Sequence, residues 1–300
     1  MPETGALRVS VIVPTYRDWD RLGLLLASLE RQDFPADGFE VIVVNNDPDA
    51  PPPATLRLPP NARMLTEARK GSYAARNAGL AAARGEIVLF TDSDCVADRG
   101  WVREAARFLD MHPEAGRFGG RIDVARSARP GVADVYEAAF AFPQEKYVAA
   151  GWAPTANMGT WARVLATVGP FDDAHYSGGD KEWGLRAAAA GVGIGYVGHA
   201  AVTHPARTAA EILRKRRRIA GAMLNREIAA KGRARLVPGW ILKTLKRLLP
   251  PTRQIGQLAR LKGFPVPLKV ATYGFIWWMR LDIELARGRI LLFGAEPERR

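Results

Sequence analysis

Short apolar runs and amphipathic segments alternate over the first 110 residues of the chain. Three runs, Val9–Pro14, Glu40–Val44 and Glu86–Phe90, are brief, mostly apolar and closed by polar or turn residues, which is typical of strands buried on both faces. Between them, Arg21–Gln32 and Ser72–Arg84 carry apolar or small residues at helical spacing. This alternation predicts an α/β fold in which helices flank a mostly parallel sheet.

Beyond these elements, the pattern predicts helices, one more strand and a loop. The proline-rich residues 48–60 indicate a surface loop. Residues 207–300 are basic, apolar and interrupted by prolines, and they predict an amphipathic helical extension. The other helices are expected at Trp101–Met111, Thr160–Val168 and Asp180–Ala190, and the strand at Gly193–His199.

Polar side chains follow each of the three N-terminal strands. Thr15 and Tyr16 come after the first strand, Asn45 to Asp47 after the second, and Asp92 to Asp94 after the third. Because ligands of open α/β sheets bind beyond the carboxyl ends of strands, these residues are expected at one edge. Two carboxylates two residues apart can hold one divalent cation, although a turn that caps the next helix is the alternative.

Four segments, in order, carry a resemblance to a known family. The segments are VSVIVPTYRDWDRLGLLLASL, FEVIVVNND, RKGSYAARNAGLAAARGEIVLFTDSD and TANMGTWARVLATVGPFDDAHYSGGDKEWGLRAAAAG. Their order and spacing over residues 8–206 resemble family 2 glycosyltransferases of the GT-A fold, which is Rossmann-like. The resemblance implies a catalytic domain over residues 1–206, with a nucleotide-sugar half at 8–110 and an acceptor half at 111–206.

The resemblance also implies a nucleotide pocket. Asp47 would accept a hydrogen bond from the N–H of the base, typically uracil. The family's usual acidic motif is altered here, so the residue in this role could also be Asn45 or Asn46. A solvated basic turn is the alternative for Lys70, which would otherwise lie beside the diphosphate. The implied nucleotide-binding residues are Pro14, Thr15, Tyr16, Asp47, Lys70, Asn77, Asp92 and Ser93.

A metal and a general base are implied as well. Asp94 and Asp92 would hold Mn²⁺ or Mg²⁺, both oxygen-loving ions, and His204 is either a further ligand or a structural histidine. Asp180 aligns with the base that removes the acceptor hydroxyl proton, and a helix N-cap is the alternative. The family commonly has Gly-Glu-Asp where this chain has Gly-Gly-Asp. One base with direct displacement implies inversion at the anomeric carbon.

Four residues are implied near the sugars: Asn157, Gly179, Glu182 and Trp183. Asn157 would contact the donor sugar, and Gly179 would let the backbone approach a substrate. Trp183 would either stack on a sugar face or pack in the core. Glu182 is either a secondary contact or a residue of the helix face, with Arg186 as an internal ion-pair partner.

Charge separates the two parts of the chain. The net charge is +12, and residues 207–300 hold 22 of the 43 Lys and Arg but only 6 of the 31 Asp and Glu. Basic helices with exposed tryptophans favour an anionic lipid surface. The alternatives are packing on the catalytic domain and binding of nucleic acid, which we do not expect because no nucleic-acid-binding motif is visible.

Together these patterns predict an inverting, metal-dependent glycosyltransferase. It would move a sugar from a UDP-sugar, or another nucleotide-sugar, to a saccharide or lipid-linked hydroxyl acceptor in polysaccharide biosynthesis. The single cysteine, Cys95, excludes an intrachain disulfide. The N-terminus lacks a signal-peptide pattern and no apolar run is long enough to span a bilayer, so we expect a cytoplasmic protein, peripheral on the inner face of the cell membrane. A non-catalytic nucleotide-sugar-binding or scaffold protein is the alternative. A nucleotidyltransferase is not expected, because it would need a Gly-rich basic loop after the first strand, where this chain has Pro14, Thr15 and Tyr16.

Overall fold

The computed structural model describes residues 7–175 and 177–295. These residues form two compact units: Met1–Asp123 with Phe142–Pro205, and Val124–Ala141 with Ala206–Arg300. The sequence assigns residues 124–141 to the acceptor half. The structure places this segment in the second unit instead, because its helix packs on helices near the C-terminus.

The structure contains eight strands and eleven helices within the described residues. The strands are β1 (Val9–Thr15), β2 (Phe39–Asn45), β3 (Ala62–Thr66), β4 (Ile87–Thr91), β5 (Val96–Ala97), β6 (Arg117–Val124), β7 (Asn157–Trp161) and β8 (Ile194–His204). The helices are α1 (Trp19–Glu30), α2 (Ser72–Ala82), α3 (Trp101–Met111), α4 (Val132–Phe140), α5 (Gln144–Ala149), α6 (Ala162–Val168), α7 (Gly179–Ala189), α8 (Ala209–Lys231), α9 (Arg233–Leu248), α10 (Thr252–Arg260) and α11 (Val266–Phe293).

The strands form one mixed sheet in the order β3-β2-β1-β4-β7-β6-β8-β5. β1, β2, β3 and β4 are parallel, as the alternating pattern predicts. The pairs β4–β7, β6–β7 and β5–β8 are antiparallel. The predicted α/β fold class is confirmed, with a parallel half that carries the polar strand ends and an antiparallel half beside it.

The core of the first unit lies on both faces of the parallel strands. Every residue of β1, β2 and β4 is buried, which explains why their sequences are continuous rather than alternating apolar runs. α1 covers the sheet with the predicted leucine face, Leu22, Leu25, Leu26 and Leu29. α2 lies close to β1, because a Cβ at Gly79 would come within 2.6 Å of Ile12 Cγ2. This close approach packs the second half of α2 against the sheet.

Helices form the second unit. α4, α8, α9 and α10 all pack against α11, around a core that includes Val135, Ile212, Ile276 and Met279. Buried Glu284 of α11 accepts hydrogen bonds from Arg247 and Arg287, so part of the positive charge is used inside the unit. Among the described residues, no helix is both long and apolar enough to cross a membrane.

Candidate active site

The carboxyl ends of β1, β2 and β4 meet at one edge of the sheet, as the sequence predicts. Thr15 pairs in register with Asn45, and the Asn46 N–H donates to the Thr15 carbonyl at 2.9 Å. β4 is parallel to β1 and ends at Thr91, directly before Asp92. The polar residues after the three strands therefore belong to one edge.

Asp92, Asp94 and His204 converge there. Each offers one oxygen or nitrogen, and these atoms lie within 4.8 Å of one another. His204 ends β8, is 1% exposed, and has Nδ1 at 2.7 Å from the Pro205 carbonyl oxygen. The Pro205 carbonyl accepts from Nδ1, which leaves Nε2 directed at Asp94 Oδ2, 3.4 Å away. An imidazole nitrogen and two carboxylates that converge in this way fit a divalent cation such as Mn²⁺.

Asp180 lies in the first turn of α7, one residue after Gly179. Its Oδ1 accepts the Tyr73 hydroxyl at 3.3 Å and the Lys181 N–H at 2.9 Å. The N-cap residue is Gly178, so the N-cap alternative for Asp180 is wrong. Burial raises the pKa of the Asp180 carboxyl, and the nearby charge of Asp92 raises it further. The hydrogen bond from the Lys181 N–H and the charge of Arg76 lower the same pKa. A carboxyl with a raised pKa is suited to accept a proton.

Arg76 and Tyr73 connect Asp180 with the candidate metal-binding cluster, which is Asp92, Asp94 and His204. Arg76 is 4% exposed, and its Nη2 donates to Asp92 Oδ1 at 2.5 Å. The same guanidinium lies over the Tyr73 ring, 5.6 Å from its centroid. Both residues project from α2, three positions apart. The first unit therefore holds the candidate base, a buried cation and the candidate metal ligands in one continuous set of contacts.

Asp47 is the carboxylate of the second strand end. It is buried, and its Oδ2 accepts the Arg17 Nε–H at 2.5 Å. The amide nitrogen of Asn45 binds the Asp47 and Ala50 carbonyls, and that of Asn46 binds the Glu67 and Arg69 carbonyls. The two asparagines thus hold the loops that follow β2 and β3. Asp47 remains the candidate for contact with a base.

Thr15 presents a buried hydroxyl at the carboxyl end of β1. It is 2% exposed, and within the described ranges its Oγ1 has no hydrogen-bond partner. Pro14 is buried beneath it, whereas Tyr16 is 41% exposed at the rim. A buried hydroxyl without a protein partner is suited to a bound polar ligand.

Asn157 and Trp183 do not line the cleft, and their predicted sugar contacts are corrected to structural roles. Asn157 is 0% exposed; its amide donates to the Arg121 and Ala200 carbonyls and accepts Trp101 Nε1–H at 2.9 Å. Trp183 is also fully buried, with Nε1–H donated to the Gly169 carbonyl at 2.9 Å. Of the two roles left open for Trp183, core packing is the one observed.

Other predicted residues lie around the site with mixed roles. Asn77 exchanges two hydrogen bonds with the backbone of Phe171, at 2.8 and 3.0 Å, which holds the loop before α7 against α2. Glu182 pairs with Arg186 at 3.0 Å on the face of α7, as one of its two predicted roles requires. Lys70 is exposed and Ser93 is buried. A cavity of ≈ 530 Å³ lies beside Asn77, Phe171 and Asp173.

Sequence reasoning missed Tyr73, and it named Arg76 only as part of the segment with Lys70 that would lie beside the diphosphate. A buried arginine in an Ala-rich helix was the signal for Arg76, because an unpaired buried charge is too costly to be retained. Tyr73 had no comparable signal, since an aromatic residue at the start of a helix is usually core. Its role depends on α7, more than 100 residues later.

Comparisons with known proteins agree with this geometry. Residues 10–143 match the sequence model of Glycosyl transferase family 2. The chain is 28% identical over 217 residues to "Glycosyltransferase AglE" of Haloferax volcanii, covering 70% of this chain and 71% of that protein. It is 38% identical over 114 residues to the "Poly(ribitol-phosphate) beta-N-acetylglucosaminyltransferase TarS" of Staphylococcus aureus, covering 35% of this chain but only 19% of TarS.

Solved structures show the same fold. The crystal structure of S. aureus TarS 1-349 in complex with UDP has a TM-score of 0.53 and 21% identity, covering 93% of this chain and 90% of that chain. The mannosyltransferase PcManGT from Pyrobaculum calidifontis, in complex with GDP-Man and Mn²⁺, has a TM-score of 0.56 and 19% identity, with 99% and 92% covered. The chain therefore has the GT-A fold of these two glycosyltransferases.

By sequence, residues 10–143 of this chain, from β1 to the segment after α4, are similar to glycosyl transferase family 2.

Proposed function

We propose that this chain is an inverting, metal-dependent glycosyltransferase that moves a sugar from a nucleotide-sugar to a hydroxyl acceptor. One observation carries the proposal. A carboxyl with a raised pKa, Asp180, and the cluster Asp92–Asp94–His204 are joined through Tyr73 and Arg76. A base for the acceptor and ligands for a cation that binds a diphosphate are the two centres that this reaction needs.

Different residues of the chain have different roles in the proposed transfer reaction. Asp180 accepts the proton of the acceptor hydroxyl as that oxygen attacks the anomeric carbon, and the nucleoside diphosphate leaves from the opposite face. Asp92, Asp94 and His204 would hold Mn²⁺ or Mg²⁺, which when bound neutralises charge on the leaving diphosphate. Thr15 and Asp47 bind the nucleoside end. Direct displacement with a single base leaves the product inverted.

The donor is proposed to be a UDP-sugar or another nucleotide-sugar. A buried Asp47 carboxylate accepts hydrogen bonds only, and it therefore suits the imide N–H of uracil. The structures similar to this chain include one with UDP and one with GDP-Man, so both bases belong in the test. The acceptor is proposed to be a saccharide or lipid-linked hydroxyl, in line with the polymeric acceptor named for TarS.

The test is a thermal-shift titration of UDP, GDP, TDP and CMP, with and without Mn²⁺. A ligand at 100 times its Kd stabilises the folded state by about 2.7 kcal/mol. We expect one nucleoside diphosphate to raise Tm, and only with Mn²⁺. The Asp94→Ala variant should lose that increase. If no nucleotide shifts Tm with the metal present, or if Asp94→Ala responds as the wild type does, the proposal is wrong.

We further infer that the second unit binds an anionic lipid surface through α9. One side of α9 packs on α11, where Trp240 lies against Gly288 and Thr244 bonds to Glu284. The other side leaves Ile241, Leu242, Leu245, Leu248 and Leu249 from 47% to 65% exposed. Exposed Lys246, Arg235 and Lys231 accompany this apolar stripe. Two copies of so basic a face repel each other, whereas anionic lipid headgroups attract it.

A further inference from the structure

We propose that Tyr73 is the positioning residue for Asp180, and that its hydroxyl fixes the carboxylate in the orientation in which it accepts the acceptor proton. The proposal rests on the proposed function, because it gives Tyr73 a role in the reaction of Asp180. Tyr73 touches the base and no reacting atom, so it acts only through Asp180.

A paired contact supports this role. The Tyr73 hydroxyl donates to Asp180 Oδ1 at 3.3 Å and accepts the backbone N–H of Asp180 at 3.2 Å. The same oxygen therefore restrains both the side chain of the base and its main chain. A carboxylate held at two points has less freedom to rotate away from a substrate, and orientation of this kind lowers the activation barrier.

The Tyr73 ring is itself held in place. Tyr73 is 6% exposed, and the centroid of its ring lies 5.7 Å from the centroid of the Phe171 ring. The Arg76 guanidinium lies 5.6 Å from the centroid of the Tyr73 ring. Arg76 in turn binds Asp92. Tyr73 therefore keeps Asp180 at a fixed place relative to Arg76 and the metal-binding cluster.

Gly179 leaves the space that this contact requires. A Cβ at position 179 would lie 2.8 Å from Cε2 of the Tyr73 ring, closer than side chains pack. Any other residue there would push the ring, and with it the hydroxyl, away from Asp180. The glycine before the base is thus explained by the ring it accommodates.

The hydroxyl keeps its proton at the pH at which the enzyme works. Burial and the neighbouring Asp180 charge raise the pKa of Tyr73 above its ordinary value. Tyr73 is consequently a constant hydrogen-bond donor to the carboxylate and not an alternative base.

The experiment measures donor hydrolysis and transfer in Tyr73→Phe, which keeps the ring and removes the hydroxyl. We expect kcat to fall by about tenfold to a hundredfold, as for a misplaced catalytic group, with the KM for the donor within about twofold of wild type. In an Asp180→Asn background the same substitution should change kcat by less than twofold, because the group it positions is gone. A merely structural role would lower both backgrounds alike.

Tyr136→Phe is the matched control. Tyr136 is also a buried tyrosine with a hydrogen-bonded hydroxyl, which accepts from Arg216 in the second unit, and its loss should leave kcat unchanged. If Tyr73→Phe does not fold, Gly179→Ala displaces the ring instead and should lower kcat in the same selective way. An unchanged kcat in the folded variant, or an equal drop in the Asp180→Asn background, overturns the inference. If Asp180→Asn itself retains wild-type kcat, the proposed function fails instead.

Discussion

At the scale of single residues, the Asp180 carboxylate lowers the stability of the folded protein, and the same property suits it to accept a proton. Burial raises the pKa of its carboxyl, so the folded state binds a proton more tightly there than the unfolded chain does. Stability from this group is therefore fully present below the unfolded pKa and is lost as the pH rises through the folded pKa. At neutral pH the ionised carboxylate reduces the free energy of unfolding.

We predict that Asp180→Asn raises Tm at pH 7, because a neutral amide of the same shape removes the half-buried charge. The increase should shrink as the pH falls towards the ordinary carboxyl range, where both forms are neutral. Differential scanning calorimetry of both proteins from pH 4 to pH 8 measures the difference. A variant that is less stable than wild type at neutral pH would contradict the assigned burial cost.

The activity profile of the wild type follows from the same group. Asp180 must be ionised to accept a proton, so kcat should fall as the pH drops through its raised pKa. The acid limb of the pH–rate profile is expected above the range of ordinary aspartates. The charged and titratable groups facing Asp180 are Tyr73, Arg76 and Asp92, with Lys181 next to it. An acid limb at or below the ordinary range would show that another group is titrating.

At the scale of elements, Asn157 joins four parts of the first unit. It belongs to β7 and binds α3 through Trp101, β6 through the Arg121 carbonyl and β8 through the Ala200 carbonyl. A Cβ at position 120 would lie 2.5 Å from the amide nitrogen of Asn157, so only a glycine at this position of β6 leaves space for the Asn157 side chain. The residue expected to hold a sugar instead holds the antiparallel half of the sheet.

Asn157→Ala should therefore destabilise the protein without changing how it binds a donor. The substitution leaves three buried polar groups without their partner, each worth about 1–3 kcal/mol if unsatisfied. We expect urea unfolding to show a loss of about 3 kcal/mol or more. Donor KM, measured on the folded fraction, should stay at the wild-type value. A variant of unchanged stability with a raised KM would restore the predicted sugar contact.

The elements also show which parts of the fold the sequence could reveal. β1, β2 and β4 are continuous apolar runs because both faces are covered, and α1 carries a clear leucine face, so these elements were predicted nearly to their ends. β7 reads Asn-Met-Gly-Thr-Trp, and its burial depends on partners distant in sequence. β3 is only half-buried and follows a proline-rich loop, so no apolar run marks it.

The candidate site also contains some residues that the sequence could predict and some contacts that it could not. Asp92, Asp94 and Asp180 were predictable because carboxylates after a strand or at a helix start are visible in sequence order. The contact between Tyr73 and Asp180 was not, because it depends on the space at Gly179 and on the packing of α7. His204 was found only as one of two alternatives, a metal ligand or a structural histidine, and its place beside Asp94 in the structure supports the first as a proposal.

At the scale of the whole molecule, positive charge is concentrated in the second unit but not all of it is available. Glu137, Asp282 and Glu284 pair with Arg207, Arg217 and Arg247 inside that unit. Internal packing thus accounts for part of the basic excess. The exposed leucines and isoleucine in and directly after α9, with nearby cations, form an apolar surface that could bind a partner.

We predict that the wild type cosediments with phosphatidylcholine vesicles containing phosphatidylglycerol, and less with phosphatidylcholine alone. Leu245→Ser with Leu248→Ser should weaken binding by at least about tenfold, since each buried leucine contributes roughly 1.5–3 kcal/mol. Leu24→Ser, at an equally exposed leucine of α1, is the control and should bind as wild type does. Unchanged vesicle binding in the double variant, or a change in its oligomeric mass instead, would contradict the lipid proposal.

The central claim is that Asp180 does chemistry while the metal-binding cluster holds the donor, and one comparison tests it most directly. In Asp180→Asn, turnover of the donor identified by thermal shift is measured beside the affinity of the same protein for its nucleotide with Mn²⁺. The account predicts that turnover falls about a hundredfold or more, the usual worth of a general base, with affinity within about twofold of wild type. Turnover that persists at the wild-type rate, or turnover and affinity that fall together, would contradict it.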